Sequence, residues 1–289
     1  MRELKLIIDE KYSQYTVGQL IKNHFKISAR LLTKLKQNDL IKLNGEHVTV
    51  RGTVKIGDEL KLIMPESSSM NVIPVELPLD IIYEDEDLLI VNKPKDMPVH
   101  PSMNNYNNTL GNAVRYYYKD IPFVYRPVNR LDRDTTGIVI VAKTPQASHS
   151  LSQQMQKNIF RKTYLAITEG IVSPDQGIID EPIARERESI IKRCVRADGQ
   201  RAVTEYKTVK TGNNKSVAEI LLHTGRTHQI RVHFAHIGYP LYADSLYGNK
   251  VEGETFNLHC FRLEFLHPVT GEKMHIECPP PENFDNFLK

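Results

Sequence analysis

The chain has 289 residues and a mass of 33.2 kDa, more than one average domain and less than three, so two domains are expected. Hydrophobic residues at 40% and charged residues at 25% exclude a disordered or fibrous chain. No run nears the ~18 apolar residues of a membrane span, and the first ten residues lack a signal peptide's apolar stretch, so neither a membrane nor a secreted protein is expected. The net charge of +3 is unevenly spread: residues 1–63 hold 12 Lys and Arg against 7 Asp and Glu, the remainder 26 against 28. A basic small unit before a near-neutral large one suggests a polyanion-binding module attached to a catalytic one, although a solubilising basic face gives the same arithmetic. Cys194, Cys260 and Cys278 are odd in number and scattered, which fits a reducing cytoplasm and offers no structural zinc site.

Over residues 15–38, Val17, Leu20, Ile21 and Phe25 recur at helical spacing, and Ser28 suits an N-cap for a second helix bearing Leu31, Leu32 and Leu35. The period then changes. Ile41 and Leu43 alternate with polar residues, Asn44-Gly45 signals a hairpin, residues 47–50 resume a strand and residues 59–63 add another. This helix-helix-hairpin unit is expected to span residues 1–65, with the aperiodic polar stretch 66–71 as linker and a second domain over 72–289.

In the second unit Leu88-Leu-Ile-Val91 and Gly137-Ile-Val-Ile-Val-Ala142 read as strands buried on both faces, each bordered by a polar loop. Pro145 opens a helix with Leu151 and Met155, and residues 161–168 form a strand placing Lys162, Tyr164 and Ala166 on one face. Strands at 202–209 and 216–223 flank a Gly-Asn-Asn turn, and a helix over 227–237 stops at Gly238. Hairpin-joined strands with helices between others indicate an α+β fold built on a mixed, largely antiparallel sheet.

The densest charge cluster in a loop is Arg130-Leu-Asp-Arg-Asp134. Two carboxylates this close to two guanidiniums are expected to stay ionised, which suits Asp132 to act as nucleophile or base rather than general acid; a loop tied down by its own ion pairs is the competing reading. The histidine-rich segment 223–236 invites a metal, but His228 and His233 are five apart, ~140° round a helix, and no carboxylate pair completes a site. It offers Arg226 and Arg231 near a helix start, where either can face an anion. Glycine-rich phosphate loops and Gly-x-Ser-x-Gly are missing, so neither a nucleotide cofactor nor serine hydrolysis is supported.

At these residues a resemblance becomes specific. Asn129-Arg-Leu-Asp-Arg-Asp-Thr-Thr-Gly137 resembles the His-Arg-Leu-Asp-x-x-Thr-Ser-Gly signature of RluA-type pseudouridine synthases. Agreeing blocks follow in order: Val91-Asn-Lys-Pro with His100-Pro-Ser102, Lys162-Thr-Tyr-Leu-Ala166, Thr224 to His233, and Tyr239 to Gly248. Residues 1–65 are similar to the alpha-L RNA-binding module, whose backbone-gripping positions match Arg30, Lys34, Lys36, Lys42 and Asn44. The resemblance implies an RNA pseudouridine synthase, monomeric and cytoplasmic, that isomerises uridines, foremost in large-subunit ribosomal RNA, without metal or cofactor. It makes Asp132 the carboxylate that initiates cleavage of the N-glycosidic bond, Tyr164 the ring against the uracil, Arg231 the basic partner of Asp132, and Arg130 the filler of the space left by the flipped base. Lys162, Arg30, Lys34 and Lys42 are expected to bind substrate, with His228 and Gln229 in support. The chain departs from the pattern at Asn129 for His, Asp96 for Gly and Thr136 for Ser, which touches RNA contacts and loop shape rather than Asp132. A non-catalytic RNA-binding protein and a hydrolytic base glycosylase are the alternatives.

Overall fold

The computed structural model describes residues 3–27, 29–64, 72–102, 105–282 and 284. The expected N-cap Ser28 and the linker 66–71 lie outside them, as does the side chain of Arg30.

Residues 3–64 fold as strand β1 (Glu3–Ile7), helices α1 (Val17–Asn23) and α2 (Ala29–Gln37), and strands β2 (Ile41–Leu43), β3 (Glu46–His47) and β4 (Glu59–Ile63). Thr16 and Gln19 form a reciprocal capping box that starts α1. Leu20, Ile21 and Leu35 from the helices pack on Leu60 and Leu62 of the sheet, all fully buried, each contributing roughly 1.5–3 kcal/mol. The described strands run in the order β1-β4-β2-β3. Asn44 and Gly45, both at positive φ, make the two-residue turn of the β2–β3 hairpin. The strand anticipated through Val50 ends at His47, because the chain turns away to meet the free amides of α1: Val17 donates to the Gly52 carbonyl at 2.9 Å and Gly18 to that of Val50 at 2.8 Å. Strand β1, whose Glu3-Leu-Lys-Leu-Ile7 repeats the alternation of β4 and was not anticipated, completes this sheet by pairing with β4.

From residue 80 the order is β5 (Asp80–Glu84), β6 (Leu88–Lys93), α3 (Leu110–Tyr117), β7 (Thr136–Ala142), α4 (Pro145–Gln156), β8 (Arg161–Glu169), β9 (Gln176–Asp180), β10 (Ile183–Arg185), β11 (Arg193–Val195), β12 (Val203–Gly212), β13 (Lys215–Leu222), α5 (Gln229–His236), β14 (Leu258–Leu266) and β15 (Lys273–Glu277). The large sheet runs β5-β6-β7-β14-β8-β13-β12-β9, with β15 added beside β14. Every pairing in it is antiparallel except that of β7 with β14. The expected α+β class and mixed sheet are thus what the chain forms. No helix among the described residues is long and apolar enough to cross a membrane.

The β7–β14 contact is short, pairing His259 with Thr136 and Cys260 with Gly137. It is also close: a Cβ at Gly137, whose φ is +102°, would lie 2.3 Å from the Cys260 carbonyl oxygen. Gly137→Ala is therefore expected to force the strands apart and to cost more than ~3 kcal/mol, read as a lowered urea midpoint with an unchanged slope. A loss under ~1 kcal/mol would mean the strands can separate cheaply.

Candidate active site

Asp132 lies on the loop entering β7, and four sets of bonds hold that loop. The buried side-chain amide of Asn129 donates to the Ile138 carbonyl at 2.8 Å and accepts from the Ile140 amide at 2.9 Å, stitching the loop to β7 itself. The departure from histidine at this position therefore serves the loop's shape. Lys93, fully buried at the end of β6, donates to the carbonyls of Pro94 at 2.7 Å and Arg133 at 2.9 Å. Burial pulls its ammonium down to about 8, against the opposing pull of Asp134, Asp132 and Asp96. Met97 bonds the Arg133 carbonyl, and Arg133 pairs with Asp134 at 3.2 Å and Asp96 at 3.4 Å. Asp96 sits at φ 56°, a left-handed conformation that glycine adopts freely and aspartate tolerates.

Arg133, next to Asp132 in sequence, thus holds the loop, while the cation facing Asp132 comes from ninety-nine residues away. Arg231, in the first turn of α5, brings Nη1 to 3.3 Å from Asp132 Oδ2. Its other edge is gripped by Asp244: Nε donates to Oδ2 at 2.7 Å and Nη2 to Oδ1 at 2.8 Å. Asp244 is fully buried and also accepts the amides of Leu246 and Tyr247. The guanidinium stacks on Phe256 at 4.1 Å and lies 5.0 Å from the Tyr247 ring. Burial works against its charge, but Asp244 and then Asp132 outweigh that, holding it above the usual arginine value. Helix α5 begins two residues later than its spacing suggests, because the Gln229 side chain accepts from Thr224 and from the Arg226 amide and bends the preceding loop into a turn. His228 is left at φ 58°, its Nδ1 2.8 Å from the Tyr247 hydroxyl and its Nε2 3.9 Å from Asp132.

Strand β8 supplies the floor. Tyr164 is 5% exposed, opposite Cys260 in register, and burial drives its phenol well above its ordinary value. Lys162 shares its face. Asp132, Tyr164, Lys162 and Arg231 line one cleft of about 380 Å³, with Leu131, Ile230 and Leu258 as apolar wall and the exposed Arg130 on its lining. The cleft therefore offers a fixed carboxylate, an aromatic surface and cations around a space roomy enough for a nucleobase and its sugar.

The histidines part company: His233 is buried between Thr204 Oγ1 and the Glu181 carbonyl, each 2.9 Å away. Among the described residues no group of three or more His, Cys, Asp or Glu side chains is placed to hold a metal. In the basic N-terminal unit Lys34 is exposed on α2, and Lys42 lies in register with Lys61, which in turn faces Lys5 across the sheet. Asn44 is not free for RNA, because its amide bonds Asp58 and the Glu59 backbone at 2.8 Å each.

Comparison with known proteins agrees with this architecture. A profile described as RNA pseudouridylate synthase matches residues 87–236, and one described as the RluD ribosomal pseudouridine synthase N-terminal domain matches residues 4–60. The chain is 36% identical to YhcT, an uncharacterized RNA pseudouridine synthase of Bacillus subtilis, over 100% of this chain and 97% of that one. It is 38% identical to ribosomal large subunit pseudouridine synthase D of Pasteurella multocida over 90% and 86% of the two chains. Among solved structures, human RNA pseudouridylate synthase domain containing 1 superposes with a TM-score of 0.60 at 26% identity, covering 71% of this chain and 84% of that one. The chain belongs to the RluA-type RNA pseudouridylate synthase family, enzymes that isomerise uridine in RNA to pseudouridine.

Sequence reasoning left Asp244 and Tyr247 without a role, although both stand in the matching block Tyr239 to Gly248. Asp244→Ala would strand a buried guanidinium beside Asp132 alone, and is expected to cost about 3–5 kcal/mol of stability together with most activity. Denaturant melts and uridine conversion measured below the new midpoint check it; full activity in a destabilised protein would show that Arg231 keeps its place unaided.

Proposed function

We propose that this enzyme converts uridines of large-subunit ribosomal RNA to pseudouridine, with Asp132 initiating cleavage of the glycosidic bond. The observation that carries the reading is the Asp132 carboxylate, 27% exposed, reachable from the cleft and fixed by Arg231 opposite Tyr164. An ionised carboxylate beside a cation suits the oxocarbenium-like charge that develops at the sugar carbon, which it can stabilise or trap. The uracil then turns within the cleft and rejoins through C5, while the apolar wall of Leu131, Ile230 and Leu258 disfavours capture of the sugar by water. Tyr164 gives the extruded base its stacking surface, and Arg130, exposed at the cleft lining, fills the gap left in the RNA. The similarity to synthases named for the large ribosomal subunit supports the choice of RNA. In this reading residues 1–65 form an RNA-binding domain, 66–71 a linker and 72–289 the catalytic domain of a cytoplasmic monomer.

Tritium release from C5-tritiated uridine in deproteinised large-subunit RNA tests the chemistry, since the new bond must expel that hydrogen. Wild type is expected to release tritium and Asp132→Asn to lose at least ~1,000-fold with RNA affinity kept. Equal rates would remove Asp132 from the mechanism, and free uracil in solution would indicate a hydrolytic glycosylase instead.

For the N-terminal domain, Lys34→Ala with Lys42→Ala is expected to weaken RNA binding at low salt and to flatten its salt dependence, by about one unit of slope for each phosphate no longer neutralised. An unchanged slope would assign these lysines to a solvated surface.

A further inference from the structure

Side chains alternate along a strand, so the face of β8 that places Tyr164 in the cleft also places Lys162 there. The other cations held inside this region have protein partners: Arg231 is shared between two carboxylates and Lys93 between two carbonyls. Lys162 is partly buried, and among the described residues its ammonium meets no carboxylate and no hydrogen-bond acceptor. Burial lowers its affinity for a proton below the ordinary lysine value. The neighbouring Cys260 thiol, which burial pushes up to about 12, stays neutral near pH 7 and cannot serve as a counter-ion. Across the cleft Gly225 leaves the ammonium room, since a Cβ there would stand 3.3 Å from Nζ. A cation partly withdrawn from water without a partner is costly to keep. It is best explained by a negative charge that arises in the cleft during turnover.

We propose that Lys162 is a catalytic residue: its ammonium stabilises the uracil anion as the glycosidic bond breaks and holds the freed base until C5 faces the sugar. This rests on the pseudouridine synthase reading of the cleft. When C1′–N1 breaks, the bonding pair stays with the base, and the charge spreads over N1 and the two carbonyl oxygens. Attack by C5 on C1′ returns a pair to the sugar carbon, the C5 hydrogen leaves as a proton and N1 takes one up. Atoms and charge balance with no co-reactant. A fixed cation beside the place where charge develops lowers that barrier without rearranging during the step. Asp132 and Lys162 thereby divide the two charges of the cleaved nucleoside, the carboxylate answering the sugar and the ammonium the base.

The test compares full-length wild type, Lys162→Met, Lys162→Gln and Lys162→Arg in single-turnover reactions on large-subunit RNA transcribed with uridine or with 5-fluorouridine. Both are read as loss of the starting nucleoside after nuclease digestion, since fluorine cannot leave C5 as a proton and stays on the rejoined base, with RNA affinity measured alongside. Fluorine at C5 makes the departing base a more stable anion, which needs the ammonium less. Lys162→Met is expected to slow uridine conversion roughly 100-fold and 5-fluorouridine conversion only about tenfold, with unchanged RNA affinity, and Lys162→Arg to retain most of the rate. Lys162→Gln, which keeps the side chain polar, is expected to follow Lys162→Met. Equal slowing on both RNAs, or a loss confined to RNA affinity, would overturn the proposal and leave Lys162 a packing or binding residue. Wild type inactive on both RNAs would instead overturn the reading of the cleft on which the proposal rests.

Discussion

One guanidinium shared by two unequal carboxylates organises the catalytic half of this protein. Asp244, with no exposed surface, takes two of the Arg231 nitrogens in a bidentate pair, leaving a single nitrogen at 3.3 Å for Asp132. The buried carboxylate fixes the arginine, and the arginine fixes the carboxylate of the cleft without saturating it. Had Asp132 received the bidentate grip, its lone pairs would be occupied and fewer would face the cleft. The rings of Phe256 and Tyr247 close the remaining sides of the guanidinium, so its position follows from packing as well as charge.

The sheet beneath this guanidinium positions the other side chains of the cleft through its ladder. Tyr164 and Lys162 project from a strand paired on both sides, and side chains held by a ladder vary less in position than side chains on a free loop. Asp132 does sit on a loop, but Asn129, Lys93 and Met97 turn that loop into an extension of β7 and β6. The loop's own charged residues, Arg133 and Asp134, are spent on its shape. The reading of the Arg130–Asp134 cluster as a loop tied down by its own ion pairs therefore holds for Arg133 and Asp134.

Where periodicity was strong, the sequence was readable: the buried runs of β6 and β7, the Asn44-Gly45 turn and the alternation along β8 all appear as anticipated. Elements whose reason lies elsewhere in the chain were not. Strands β1 and β14, both unanticipated, carry alternation of their own, Glu3-Leu-Lys-Leu-Ile7 and Phe261-Arg-Leu-Glu-Phe265, but their partners, β4 for the first and β7 and β8 for the second, are distant in the chain and not expressed locally. The same limit applies to the site. A charge cluster drew attention to residues 130–134, yet the partner of Asp132 was visible only through a resemblance to a family, since nothing in local spacing brings Arg231 near. Asp244 and Tyr247 stood in a recognised block, but their task is to hold another side chain, which sequence does not express. The start of α5 moved by two residues because a side chain, Gln229, competes with the backbone for the turn.

The short parallel contact between β7 and β14 divides the large sheet into two antiparallel halves, one carrying Asp132 and Arg130, the other Lys162, Tyr164, Arg231 and Asp244. The divide is fastened beside Gly137 by the Thr136 hydroxyl against His259 Nδ1 at 2.8 Å, with His259 Nε2 in turn 2.9 Å from the Cys278 carbonyl oxygen. Neither half contains a working set of residues. The cleft is thus indivisible in a way the linear order of the sequence hides: its lining is assembled only where the two halves meet, so neither half alone reproduces it.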